Sequence, residues 1–223
     1  QIKNKIAFGN RAAIEKQIAE EFAVTINETE NPKVIMATGS SPVALYKEMT
    51  KLNKEGVFSF KNVESFNLDE YLGMNENTSQ HAFRKFMNDN LFDHVDIDKA
   101  NTHFPTEDTA AYDAKLDQVG KMDWTVLGVG TNGHIAFNEP GTPFSYRTNI
   151  VELQESTIAS NFKADEEKLY SAVTMGMSDI YNKSKKIVLL AWGEGKADAL
   201  RKFVAGEKDD NWPITHFIDH PNI

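Results

Sequence analysis

The sequence contains no cysteine. That excludes a disulfide framework, a thiolate nucleophile and any cysteine-based zinc site, and it fits a reducing compartment. Positive charge is also scarce: 24 Lys and Arg stand against 33 Asp and Glu, a formal net charge of −9. Nucleic-acid binding requires a basic stripe that displaces counterions from phosphates, so such a partner is disfavoured. An anionic membrane surface is disfavoured for the same reason. No apolar run approaches the roughly 20 residues needed to span a bilayer. The opening Gln-Ile-Lys-Asn-Lys-Ile lacks the apolar centre of a secretory signal. No internal repeat, low-complexity tract or Pro/Gly-rich linker divides the 223 residues. What is present, 40% hydrophobic and 26% charged residues, is a globular rather than a disordered mixture. The expectation is one soluble, cytoplasmic domain over residues 1–223.

Short apolar runs alternate with longer amphipathic stretches. Ile14, Ile18 and Phe22, four apart, predict a helix over residues 10–23. Lys33 to Ala37 reads as a buried strand. Ser41-Pro42 opens a second helix, with Ser41 as N-cap and proline in the first turn. Further strands are expected at 63–68, 124–129 and 186–192, and further helices at 79–91, 108–119, 171–182 and 196–204. Strands without polar alternation, separated by helices, predict a three-layer α/β fold. Its sheet would be mostly parallel and Rossmann-like, with helices on both faces. Ligands in such folds bind beyond the carboxyl ends of the strands.

Four loops at those ends carry chemistry. Thr38-Gly39-Ser40-Ser41-Pro42 joins a strand to a helix start, where glycine, hydroxyls and free amides together suit a phosphate. It has neither a Walker lysine nor GxGxxG spacing, so a nucleotide is not indicated. Asp69-Glu70 closes a buried strand; a desolvated carboxylate there is a base for protons on carbon, although capping the next segment is the commoner fate of such residues. Gly128 to Gly141 places Gly130, Asn132 and Gly133 before His134, and an Asn-Glu-Pro-Gly turn holding Glu139 after it. A carboxylate touching His134 would raise its basicity and fix its tautomer. Lys196 begins a helix, where a cation opposes the dipole unless an anion lies between them. The other histidines, His81 among them, read as surface or packing residues. No histidine pair has metal-ligand spacing, so no metal site is expected.

In this order, Thr-Gly-Ser-Ser-Pro at 38–42, Phe-Asn-Leu-Asp-Glu-Tyr at 66–71 and Gly-His-Ile-Ala-Phe-Asn-Glu-Pro at 133–140 resemble the deaminase branch of the glucosamine/galactosamine-6-phosphate isomerase family. The resemblance runs from about residue 10 to the end. It implies the deaminase/phosphogluconolactonase-like fold and conversion of glucosamine 6-phosphate and water to fructose 6-phosphate and ammonia, without metal or organic cofactor. It gives His134 the opening of the pyranose ring, Glu139 the support of His134, and Asp69 the proton transfer from C2 to C1. Thr38, Gly39, Ser40, Ser41, Gly130 and Lys196 would bind the substrate and its phosphate. Asn132 stands where many members have Asp, and is assigned to catalysis with the loss of one negative charge. Lys163 falls where the family has a phosphate-binding Arg, without the bidentate fork. Residues 153–172 would be part of a mobile lid. Asn149, Val151 and Glu152 replace the basic residues of allosteric members, so a non-allosteric monomer or homo-oligomer is expected. The alternatives are a 6-phosphogluconolactonase, which as a group lacks the Phe-Asn-Glu-Pro continuation, and a non-catalytic sugar-phosphate sensor, which would carry a DNA-binding module that residues 1–33 are too short to supply.

Overall fold

A computed structural model describes residues 6–223 of the chain. Its strands are β1 (Lys33–Met36), β2 (Glu64–Asn67), β3 (Asp69–Tyr71), β4 (Thr102–His103), β5 (Trp124–Gly128), β6 (Asn149–Glu152), β7 (Ser171–Thr174) and β8 (Ile187–Leu190). The α-helices are α1 (Arg11–Glu28), α2 (Val43–Lys54), α3 (Phe83–Asn90), α4 (Thr109–Val119), α5 (Glu155–Asn161), α6 (Met177–Lys183) and α7 (Ala197–Ala205). Five strands form one sheet in the order β4-β2-β1-β5-β8. Every pairing in it is parallel.

Burial explains why this sheet needs two helical layers. Val34, Ile35 and Met36 alternate between the two faces of β1, yet all three are inaccessible to solvent. Trp124, Val126 and Leu127 of β5 are likewise enclosed. Phe22 of α1, Leu45 of α2, Leu116 of α4, Ile180 of α6 and Phe203 of α7 complete the same core. Asn10 caps α1 by accepting from the Ala13 amide, and Ile26 extends the four-residue spacing, so the helix outruns the expected end at residue 23. The strand order reverses beside β1, where β2 lies on one side and β5 on the other. The loops leaving β1 and β5 therefore part and open a crevice.

A second sheet, β3-β7-β6, is antiparallel and lies outside the sequence reading. The helix expected over 171–182 is a strand, β7, followed by α6 from Met177. Ser171 to Thr174 pairs with β3 and β6, and extended Gly176 separates it from the helix. A Cβ on Gly176 would stand 1.8 Å from the Tyr146 carbonyl, so the break requires glycine. The helix expected over 79–91 is divided at Ala82 into a 3₁₀ turn (Ser79–His81) and α3. The strand expected over 63–68 ends at Asn67, and one residue later the chain enters β3 of the other sheet. Leu68 joins the two sheets: its N–H donates to the Met36 carbonyl at 3.2 Å and its carbonyl accepts from Met175 at 2.7 Å.

Candidate active site

The loops leaving β1, β5 and β8 and the junction after β2 surround a cavity of about 720 Å³. Its wall includes Thr38, Gly39, Ser40, Ser41, Asp69, Gly130, His134 and Lys196. Asn132 and Glu139 stand behind His134 rather than in the wall. Lys163 is apart from this set: it lines a neighbouring depression with His81, Asn161 and Glu166, and its backbone N–H donates to the Glu166 carboxylate at 3.0 Å.

The half of the cavity expected to take an anion is mainly backbone. Gly39 takes φ +91°, in the region that favours glycine, and so bends the chain from β1 into the start of α2. The expected cap is displaced by one residue. Pro42, not Ser41, precedes the helix, and no side chain caps it. The positive end of α2 and the Ser40 and Ser41 side chains thus serve the cavity. Gly128 at the end of β5 lies against Ser41; a Cβ there would meet the Ser41 side chain at 3.9 Å. Lys196 supplies the cation, and partial burial lowers its pKa.

The acidic pair after β2 divides its duties. Glu70 is the capping residue: its carboxylate accepts from the amides of Tyr71, Phe83 and Arg84 at 2.8–3.0 Å, two of them at the otherwise uncapped start of α3. Asp69 faces the cavity and is only 7% exposed. Burial, with a smaller contribution from the negative charge of Glu70, pushes its carboxyl up to about 8. A carboxylate so poorly solvated is a strong base once ionised.

His134 is oriented by Asn132. The Asn132 Oδ1 accepts from the His134 backbone N–H at 3.2 Å and faces His134 Nδ1 at 2.9 Å. A backbone N–H can only donate, which fixes this oxygen as the acceptor and makes Nδ1 the protonated ring nitrogen. Nε2 is then the basic nitrogen of the neutral imidazole. The Asn132 amide nitrogen donates in turn to Glu139 at 3.0 Å, whereas Glu139 itself is 3.8 Å from Nδ1. The tautomer is therefore set by Asn132, with Glu139 acting through it and through its charge; the expectation of a fixing contact from Glu139 is corrected. Burial lowers the His134 pKa more than Glu139 restores it, and Lys196 lowers it further. Gly130 makes room for the ring: a Cβ there would lie 2.0 Å from Nδ1.

An aromatic wall lies outside the expected set of site residues. Tyr71, Phe83 and Phe137 line the cavity, with stacked Phe83 and Phe137 rings at 5.8 Å. Tyr71 follows Asp69 by two positions in a strand and so shares its face, a period that could have revealed it. Asn161 at the end of α5 donates to the Tyr71 hydroxyl at 3.0 Å. Gln80 and His81 also line the cavity. His81, read as packing, meets Phe162 edge-on and approaches Glu166 at 3.6 Å. Among the described residues no group of three or more His, Asp or Glu could hold a metal ion, and no helix is long and apolar enough to cross a membrane.

Residues 10–222 match the family model described as glucosamine-6-phosphate isomerases/6-phosphogluconolactonase. The chain belongs to this family. A glucosamine-6-phosphate deaminase of Lysinibacillus sphaericus is 43% identical over 92% of this chain and 90% of that one. One from Malacoplasma penetrans is 39% identical over 99% and 96%. Among solved structures of the family, a monomeric glucosamine-6-phosphate deaminase superposes with a TM-score of 0.90 at 33% identity, over 98% of this chain and 94% of that one. A 6-phosphogluconolactonase from Thermotoga maritima, 16% identical with a TM-score of 0.70 over 95% and 92%, shares the fold. The expected family, with its parallel sheet clothed by helices, is thereby established.

Proposed function

We propose that the chain converts D-glucosamine 6-phosphate and water to D-fructose 6-phosphate and ammonia in amino-sugar catabolism. One observation carries this reading: a single cavity holds an anion cradle, a buried carboxylate without a charge partner, and an imidazole whose free nitrogen is Nε2. The 38–42 loop and Lys196 hold the 6-phosphate. His134 Nε2 takes the proton of the anomeric hydroxyl and returns one to the ring oxygen, which opens the pyranose. Asp69 removes the proton from C2 while O1 takes up a proton released by the C2 ammonium, which gives the enolamine, and Asp69 then delivers its proton to C1 on the same face. Water then adds to the resulting C2 iminium, and ammonia leaves to give the ketone. No step is assigned to a metal or cofactor.

Residues 153–172, which carry α5 and Asn161, are proposed to close over the bound sugar, and that motion would bring Lys163 toward the phosphate. Regulation by a phosphorylated activator is not part of this reading. Arg147, the cation of the segment after the Asn-Glu-Pro turn, is paired with Asp113, Asp117 and Asp179. The enzyme is proposed to act in the cytoplasm as a monomer. Ammonia release from glucosamine 6-phosphate, measured beside hydrolysis of 6-phosphogluconolactone, tests the assignment. Release of ammonia without lactone hydrolysis is expected; lactone hydrolysis alone would reverse it, and neither activity would favour a sensor.

A further inference from the structure

The peptide unit between Ser41 and Pro42 sits at the mouth of the anion cradle and poses an electrostatic problem. Proline has no N–H, so this unit can present an anion only with a carbonyl oxygen, which would repel it. Nothing within the loop restrains that oxygen. Two donors from outside the cavity wall do. The Trp192 indole N–H, just past β8, donates to the Ser41 carbonyl at 3.1 Å. The Arg11 guanidinium, from the first turn of α1, reaches the same oxygen at 3.5 Å and lies 4.8 Å from the centre of the Trp192 ring. Arg11 is itself fixed by Glu15 at 3.2 Å.

We infer that Trp192, assisted by Arg11, is a positioning residue that keeps the Ser41 carbonyl turned away from the bound phosphate, so that only hydroxyls and amides face it. The inference rests on the reading of the 38–42 loop as the phosphate site. It gives a purpose to the polar atom of a half-buried tryptophan: the ring packs against the core, and its single N–H is spent on that loop.

The test is Trp192→Phe, which keeps an aromatic ring beneath Arg11 and removes the donor. KM for glucosamine 6-phosphate and Ki for inorganic phosphate as a competitive inhibitor should both rise, roughly three- to tenfold for one lost hydrogen bond, with kcat within about twofold. Arg11→Lys, which retains a cation for Glu15 but not the planar fork, should move both constants in the same direction by less. A lowered melting temperature with unchanged KM and Ki would overturn the inference, because a purely structural tryptophan predicts that result. A loss confined to kcat would overturn it as well. If phosphate does not compete with substrate in the unaltered enzyme, the reading of the loop itself fails and takes the inference with it. Competition with an unchanged Ki in Trp192→Phe defeats the inference alone.

Discussion

The two groups proposed to handle protons in this site reach their reactivity by opposite routes. Asp69, at the junction of the two sheets, has been stripped of water and lies beside a second carboxylate, so its affinity for a proton is raised by what surrounds it. His134, on the glycine loop after β5, sits in a chain of hydrogen bonds through Asn132 to Glu139, so its orientation is set by what touches it. Desolvation tunes the strength of a base, and a hydrogen-bonded relay tunes its direction. A proton held on one face of a planar carbon centre calls for the first, and transfer between two sugar oxygens calls for the second.

The sharpest way to break this comparison is Asp69→Asn. Ammonia release should fall about 10³-fold, the scale of a lost general base. A second readout separates desolvation from mere absence. The folded-state pKa of about 8 exceeds the ordinary aspartate value of 3.8, so the folded enzyme binds this proton more tightly than the unfolded chain. Stability attributable to Asp69 is therefore present at low pH and lost as pH rises between those two values. The variant should melt above the unaltered protein at pH 8 and beyond, and the difference should vanish near pH 4. Equal melting temperatures across that range would show that Asp69 is solvated.

Gly130→Ala attacks the other route. The added methyl would overlap the imidazole, and a displaced catalytic group costs on the order of 10²-fold in rate. Ammonia release from the closed-ring substrate should fall by that much, whereas Asp69 chemistry, followed as transfer of deuterium from C2 of labelled substrate to C1 of the product formed, should be retained. Asn132→Asp has the smallest expected effect. A carboxylate beside Nδ1 favours the imidazolium, so the acid limb of kcat/KM should move to higher pH by about one unit, with little change at the optimum. Repulsion from Glu139 limits the shift. An unmoved limb would mean that His134 does not set it.

The parallel sheet was legible because β1, β5 and β8 are short, nearly unbroken apolar runs, and a buried strand has little other signature. The loops at their ends were legible for the same reason, which is why eight of the eleven expected site residues fall in one cavity wall. The antiparallel sheet was not. Asn149 to Glu152 is too short for its alternation to register, and none of its residues is buried. Ser171 to Thr174 runs toward a true helix, and its strand character comes from partners about 20 and 100 residues earlier in the chain. The division of labour between Asp69 and Glu70 was likewise hidden, since the amides that Glu70 caps lie 13 and 14 residues away. Lys163 was placed by alignment, and no local pattern could say that its segment stands off from the cavity.

Leu68 gives this arrangement a further consequence. Its N–H is bonded to Met36, the last residue of β1 before the chain turns into the loop proposed to cradle the anion, and Asp69 is the next residue along the chain. The relative placement of that loop and the carboxylate is thus tied to a main-chain hydrogen bond between strands rather than to several adjustable side chains. On the proposed reading, a phosphosugar shorter or longer by one carbon would present the wrong atom to Asp69. On that reading selectivity for chain length would lie in the sheet itself, at the residue where the two sheets are joined.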